Sequence, residues 1–407
     1  LGKELFMLTS SQIALIKSSA PAIKAHGLEI TTLMYSRMLA EHPELCNLFN
    51  LSHQAAGTQQ KTLAQALAAY AAHIDALENL SGAVRFIAER HAALCVKPEH
   101  YQIVGKCLLA AAEKVLGDAA TPELIAAWAA AYQQLADILI AAEAGIYKEK
   151  AQMEGGWSGW RTFDCVNRVE ECPGVVSFYF MPADGGQVPD YKAGEYVTLR
   201  VYVPGLQVLQ PRQYTLSQAK GSGMLRITVK AIRAKDGAPA GVVSNQLVNT
   251  LKVGNQVELT APTGTFVIDD VKDDHPLVLI AAGIGITPMV AMLEELSTEN
   301  PLRSVHFLYS TQNKAAYPLR DTVDAVMKGL PRGAKAVFFT KPGPDDHLGQ
   351  DFDASGRITP ASIRNFCQDP DADFYICGPA SFMQDITAAL RQIGVIEPRI
   401  HTESFGA

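Results

Sequence analysis

Gly283-Ile284-Gly285-Ile286-Thr287-Pro288 stands where the apolar run Leu277-Val278-Leu279-Ile280-Ala281 hands over to a helical stretch, Pro288 to Leu296. Glycines at such a junction let the backbone approach a pyrophosphate, and the helix N-terminus supplies free amides and positive potential for it. A glycine pair also does no more than permit a tight turn, so the motif alone leaves both readings open. The following Thr-Pro and a second strand end, Cys377-Gly378-Pro379, favour a nucleotide. Far upstream, Val84, Ile87, His91 and Leu94 fall at helical spacing, so the imidazole shares a face with apolar residues. A histidine placed this way is either a hydrogen-bonded core residue or a ligand. His42, His53 and His100 sit beside breaks or polar residues and suit a solvated surface. Glu89-Arg90-His91 and Glu41-His42 lack the Glu-x-x-His spacing of di-iron bundles, and no C-x-x-C-H is present for covalent haem attachment. Non-covalent haem, which needs one axial histidine in an apolar crevice, remains open for His91 beside the core reading.

These residues fall in two unlike compositions that meet near Gly155-Gly156-Trp157. Leu8 to Lys150 is rich in Ala and Leu and reads as amphipathic helices. Its breaks are expected at Ala20-Pro21, His42-Pro43, Lys97-Pro98 and Thr121-Pro122, because proline lacks the helical donor and biases the residue before it away from helix. Thr121-Pro122 also reads as an N-cap with proline at the first helical position. Beyond the seam, Val175–Phe180, Tyr196–Val201 and Leu225–Val229 are short β-branched runs bounded by turns, which suggest an antiparallel barrel or sandwich. From about Val271, apolar strands (277–281, 305–309, 374–377) alternate with helices and argue for a parallel sheet of βαβ units.

A chain of 407 residues exceeds what one core usually organises, so two or three domains are expected. Its 19% charged and 48% hydrophobic residues are those of an ordinary globular protein. A net charge of -7 without Lys/Arg runs argues against nucleic acid or an anionic membrane as partner. No apolar stretch reaches the roughly 20 residues of a membrane span, and no secretory or transit pattern is expected at the start. Seven cysteines without a C-x-x-C pair suit a reducing compartment, hence the cytoplasm.

Residues 157–407 resemble the ferredoxin–NADP reductase superfamily, whose flavin motif Arg-x-Tyr-Ser/Thr is matched by Arg212-Gln213-Tyr214-Thr215. The resemblance implies an FAD-binding barrel and an NAD(P)H-binding domain. Arg212 would pair with the flavin pyrophosphate, Tyr214 would pack on the isoalloxazine, and Thr215 would reach its N5 edge. Tyr196, Val243 and Ser244 match further flavin contacts, with Ser244 on the phosphate side. Gly283, Ile284, Gly285, Thr287, Pro288, Gly378 and Pro379 would hold the nicotinamide nucleotide. Cys377 would wall the hydride path, and Glu403 and Phe405 would flank the ring and the incoming nicotinamide.

Over residues 8–150 the chain is similar to globins, through Pro43, Phe49, the pair Gln59 and Leu63, and Lys97-Pro98-Glu99-His100-Tyr101 after the His91 helix. Together the modules resemble the flavohaemoglobins. That family implies non-covalent haem b with His91 as its proximal ligand, backed by Tyr101 and Glu143. Tyr35 and Gln59 would donate to dioxygen at the ferrous haem, between apolar walls made by Phe49 and Leu63. The implied domains are globin 1–153, FAD barrel 154–270 and NAD(P) domain 271–407, in a monomer without an obligate protein partner. The implied activity is NAD(P)H-dependent dioxygenation of NO to nitrate, with peroxide or lipid-hydroperoxide reduction and O2 storage or sensing as alternatives. NADH and NADPH are not distinguished, although Ser310, Thr311 and Lys314 stand where a 2′-phosphate would be met. Arg90 and Thr215 depart from the commoner lysine and serine, and Leu1–Phe6 falls outside the resemblance.

Overall fold

The computed structural model describes residues 8–76, 80–234, 237, 239–366, 369 and 371–405; Leu1–Phe6 lie outside the described residues. Two compact units emerge. The first comprises Leu1–Met153 with Trp157–Trp160 and Arg200–Arg212; the second holds the remainder.

The helical part of the first unit runs α1 (Ser10–Glu41), α2 (Leu51–Ala55), α3 (Thr58–Ala72), α4 (Ser81–Ala93), α5 (Pro98–Leu116) and α6 (Pro122–Gln152). Thr9 caps α1 through a reciprocal capping box with Gln12. Thr121 caps α6 by accepting from the Leu124 amide, as its sequence position implies. The expected break at Pro21 does not occur. Proline lies on the exposed side of an uninterrupted α1, while Ile16, Ile23, Ile30, Met34 and Met38 are buried along the opposite face. Burial on both sides of the proline outweighs the one hydrogen bond it forfeits. Gly27 permits the close α1–α3 crossing, since a Cβ there would lie 3.3 Å from Ala64 Cβ. α6 is long and apolar enough by composition to cross a membrane, contrary to the expectation that no stretch would qualify. Its Ala127, Trp128, Ala131, Ala136 and Leu139 are instead spent in the helical core, and the same buried face carries Glu143.

β1 (Arg161–Cys172), β2 (Val175–Pro182), β3 (Tyr196–Val203), β4 (Val208–Thr215), β5 (Leu225–Lys230), α7 (Val242–Thr250) and β6 (Gln256–Leu259) follow. The strands are ordered β4-β3-β6-β1-β2-β5, with antiparallel pairing where β1 meets β2 and β6 and where β2 meets β5. Past the end of β4, Leu216 bridges to Ile227 of β5 and so curls the sheet toward closure. Val176, Phe178 and Phe180 of β2 are buried within it.

The last part runs β7 (Leu277–Ala282), α8 (Ile286–Glu299), β8 (Val305–Thr311), α9 (Arg320–Lys328), β9 (Gly333–Phe339), β10 (Ala354–Ser355), α10 (Pro360–Phe366), β11 (Asp373–Cys377), α11 (Ala380–Gln392) and β12 (Ile400–Glu403). Its sheet is parallel throughout, ordered β10-β9-β8-β7-β11-β12. The chain leaves β7 in one direction and returns to its other side at β11. The carboxyl ends of β7 and β11 therefore form the switch point at which such sheets bind ligands.

Candidate functional site

α4 delivers His91 close to its C-terminus. The Val96 amide donates back to the His91 carbonyl at 3.0 Å, and Cys95 takes a left-handed conformation (φ 58°) to close the helix. Tyr101 comes from the first turn of α5 and Glu143 from α6. His91 Nδ1 lies 2.8 Å from Glu143 Oε1 and 2.8 Å from the Tyr101 hydroxyl, and that hydroxyl donates to the same carboxylate oxygen. Glu143 is 2% exposed. Burial, then the Glu143 carboxylate, pushes the Tyr101 phenol far above its ordinary range, so it stays a neutral donor. With acceptors gathered at Nδ1, the network selects the tautomer with the proton there and leaves the lone pair on Nε2. Val84 and Ile87 pack with Tyr101 and Leu139 around this group. No cluster of three His, Cys, Asp or Glu side chains suited to a metal ion occurs among the described residues. One imidazole in an apolar wall, backed by a carboxylate, is a donor set that could hold a haem iron.

The expected opposite face is partly assembled. Tyr35 on α1 meets Phe49 edge-on, with ring centroids 5.6 Å apart at 86°, and Tyr35, Phe49 and Leu63 pack on one core. Burial pushes the Tyr35 phenol up to about 12, which keeps its proton at neutral pH. Gln59 opens α3, and its side-chain oxygen accepts from Gln54 Nε2. No hydrogen bond among the described residues joins Gln59 to Tyr35.

Two residues of this unit escape a reading by motif. Gln54 holds the Gln59 amide and also accepts from Gln60 Nε2 at 2.9 Å. Gln210, wholly buried in the 200–212 segment, donates to the Cys46 carbonyl at 2.9 Å and accepts from the Leu51 amide at 3.1 Å. Both are identifiable only once segments distant in sequence lie side by side.

In the second unit, β7 and β11 run in register, with Ala281 opposite Cys377. A Cβ on Gly285 would lie 2.3 Å from the Cys377 carbonyl oxygen, so only glycine lets the two motifs close on one another. Gly283 adopts φ +55°, and its carbonyl accepts from the buried Tyr309 hydroxyl at 3.0 Å. Thr287 Oγ1 donates to the Ile284 carbonyl at 3.1 Å and secures the turn beneath Pro288. Cys377 is fully buried, and burial holds its thiol protonated. Glu403 pairs with Cys377 across β11 and β12, while Gly378 packs on Ala282. Pro379 caps α11, and Phe405 is exposed just past β12.

Arg212, Gln213, Tyr214 and Thr215 end β4, the strand at one margin of the barrel sheet. Tyr214 is half-buried, Gln213 exposed and Thr215 buried, the alternation a strand imposes. Arg212 Nη2 donates to Ser52 Oγ at 3.1 Å. Gly264 lies against the Tyr196 ring. Val243 and Ser244 lie in the first turn of α7, where helix amides collect.

Family models place this geometry. Globin matches residues 32–139, the oxidoreductase FAD-binding domain 165–268 and the oxidoreductase NAD-binding domain 279–388. A flavohemoprotein of Bordetella pertussis is 47% identical over 98% of this chain and 99% of its own. One from Deinococcus radiodurans is 42% identical over 98% and 97%. The crystal structure of a Malassezia yamatoensis flavohemoglobin with bound FAD and heme superposes with a TM-score of 0.85 at 31% identity, covering 98% of this chain and 100% of that one. With curated relatives at this identity along nearly its whole length, the chain belongs to the flavohemoprotein (flavohaemoglobin) family.

Proposed function

We propose that the protein converts NO and O2 to nitrate at the expense of NAD(P)H, as an NO dioxygenase holding non-covalent haem and FAD. The observation that carries this reading is the buried carboxylate of Glu143 on Nδ1 of His91, 2.8 Å away. Haem, when bound, supplies the iron at which dioxygen is activated, and FAD converts hydride into single electrons. His91 would ligate through Nε2. Glu143, with Tyr101 donating to it, makes that imidazole more basic than one hydrogen-bonded to a carbonyl. This favours activation over simple carriage of dioxygen. On the opposite side, the protonated Tyr35 hydroxyl and the Gln59 amide would donate to the polarised ligand, and Phe49 and Leu63 would limit access to small molecules.

The remaining residue roles follow the same reading. Arg212 and the α7 amides of Val243 and Ser244 would hold flavin phosphates, Tyr214 and Tyr196 its ring, and Thr215 its N5 edge. The Gly283–Pro288 turn and Cys377–Pro379 would receive the nicotinamide nucleotide, with Glu403 and Phe405 beside the ring. The corresponding partition is haem domain 1–153, FAD domain 154–270 and NAD(P) domain 271–407. Support for the reductase half comes from the 34% identical FAD/NAD-binding domain of a Vibrio cholerae nitric oxide dioxygenase, which covers 61% of this chain. A reducing cytoplasm suits the six cysteines found as free thiols among the described residues.

Tyr35→Phe is the discriminating experiment. Loss of one preorganised donor should lower NO-dependent nitrate formation by roughly 100-fold, with NADH-to-ferricyanide activity unchanged. Nitrate formation at the wild-type rate would refute the dioxygenase role assigned to this face.

A further inference from the structure

Three side-chain amides lie end to end where α2 folds back on α3. Gly57 makes that fold possible, in the left-handed conformation (φ 71°) that glycine adopts without strain. The turn sets Gln54 of α2 beside Gln59 and Gln60 in the first turn of α3. Gln60 is buried, and its backbone carbonyl accepts from the wholly buried Thr31 Oγ1 at 2.9 Å. Thr31 stands one helical turn from Tyr35 on α1, so α3 is fastened to α1 beside that phenol.

The oxygen and nitrogen of an amide are told apart by what they face. Gln60 faces the backbone carbonyl of Gln54, 3.1 Å away. A carbonyl can only accept, so the Gln60 atom there is Nε2. The same nitrogen lies 2.9 Å from the Gln54 side chain, which must therefore present Oε1. Gln54 Nε2 is then the atom turned to Gln59, and Gln59 receives it with Oε1. Each step follows from the one before. The last leaves Gln59 Nε2 as the end of the chain, engaged by no protein group among the described residues. Gln60 Oε1 is buried without a partner among the described residues. Reversing that amide would set oxygen against oxygen at both of its contacts, so the orphan is tolerated and the order holds.

We infer that Gln54 and Gln60 are positioning residues that fix the polarity of the Gln59 amide, so that it meets a haem-bound ligand as a donor and not as an acceptor. Both act through Gln59. An unrestrained glutamine offers its oxygen as readily as its nitrogen, and the oxygen would repel a negatively polarised ligand. The relay makes that choice before the ligand arrives. The inference rests on Gln59 as the ligand-facing amide of the proposed function.

The test uses full-length, haem-loaded, reduced protein. Its readouts are the C–O stretching band of the carbon monoxide adduct and the rate of O2 dissociation. That band falls when a donor faces the ligand and rises when an oxygen does. Gln59→Leu should raise it and speed O2 loss, which measures the amide itself. Gln54→Met keeps the length of the side chain and removes both polar ends of the relay. It should shift the band upward and speed O2 loss about 3- to 10-fold, the range of one neutral hydrogen bond. Gln54→Glu, whose carboxylate can only accept, should draw Gln59 Nε2 to itself and shift the band further. Gln60→Met should split the band in two, since both polarities of the Gln54–Gln59 pair become available. In the Gln59→Leu background, Gln54→Met should add nothing. The inference is overturned if Gln54→Met leaves band and rate unmoved while Gln59→Leu moves them, or if it moves them equally in that background. A silent Gln59→Leu would instead overturn the assignment of Gln59 to the ligand, and the relay with it.

Discussion

Replacing Glu143 by Gln removes one charge and almost no volume from a site that is 2% exposed. The carboxylate oxygen accepts from two donors, His91 Nδ1 and the Tyr101 hydroxyl. A hydrogen bond to a charged partner contributes about 1.5–3 kcal/mol and a neutral one about 0.5–1.5 kcal/mol, so neutralising both amounts to roughly 2–3 kcal/mol. Expressed wholly in the rate-determining barrier, this corresponds to roughly 30- to 150-fold. The assay is NO-dependent nitrate production in air-saturated buffer, paired with NADH-to-ferricyanide turnover, which needs only the flavin half. Glu143→Leu should be worse, because it leaves both donors buried without an acceptor. A loss below threefold in Glu143→Gln, or an equal fall in ferricyanide reduction, would refute the argument that this carboxylate tunes the imidazole.

Gly285→Ala should slow flavin reduction by NADH and lower Tm, since its Cβ meets a backbone oxygen that cannot swing aside, at a cost of about 1–3 kcal/mol. Gly82→Ala, with nothing within 4 Å, is the matched neutral change; equal behaviour in stopped flow and calorimetry would sink this reading. Asp184 accepts from Arg161 at 2.7 Å, and that pairing, helped by the Gly186 amide, lowers its pKa to about 2. Because the folded value lies below the unfolded one, the stabilisation is present above the ordinary carboxylate range and is lost as pH falls toward 2. Asp184→Asn should flatten the acid limb of the second unit's melting curve between about pH 4 and 2, and an unchanged limb would count against it. Asp351 holds Lys314 at 2.8 Å and Arg320 at 3.1 Å, so a 2′-phosphate beyond β8 would compete with a buried carboxylate for Lys314. Asp351→Asn should raise kcat/KM for NADPH relative to NADH severalfold, and adding Lys314→Ala should cancel the gain; a constant ratio would exclude this competition.

Much of the architecture was legible because local signals and packing agree. Leu277–Ala281 is apolar at every position, as a strand covered on both faces must be, and Gly283 and Gly285 mark its exit. Thr121-Pro122 begins α6 because cap chemistry is local. Pro21 shows where that agreement fails. Its dipeptide signal is real, but the residues that overrule it are buried against other helices and carry no mark in the neighbouring sequence. The 31 residues of α6 look like a span by composition for the same reason, since apolar area for a protein core and for lipid is written with the same side chains.

His91 marks the harder boundary. Periodicity places an imidazole on an apolar face but cannot distinguish a packed histidine from a ligand. The distinction lies in Tyr101, 10 residues away, and Glu143, 52 residues away, meeting at one ring nitrogen. Neither separation is a helical period that single-sequence reasoning can score, so only the family resemblance could name the pair. What the geometry adds is the direction of the effect. Two partners converge on Nδ1, one of them a buried carboxylate, which under the proposed function would leave Nε2 to bind and make it a stronger donor. The buried charge costs folding energy, a cost for which the proposed dioxygenase reading gives a use.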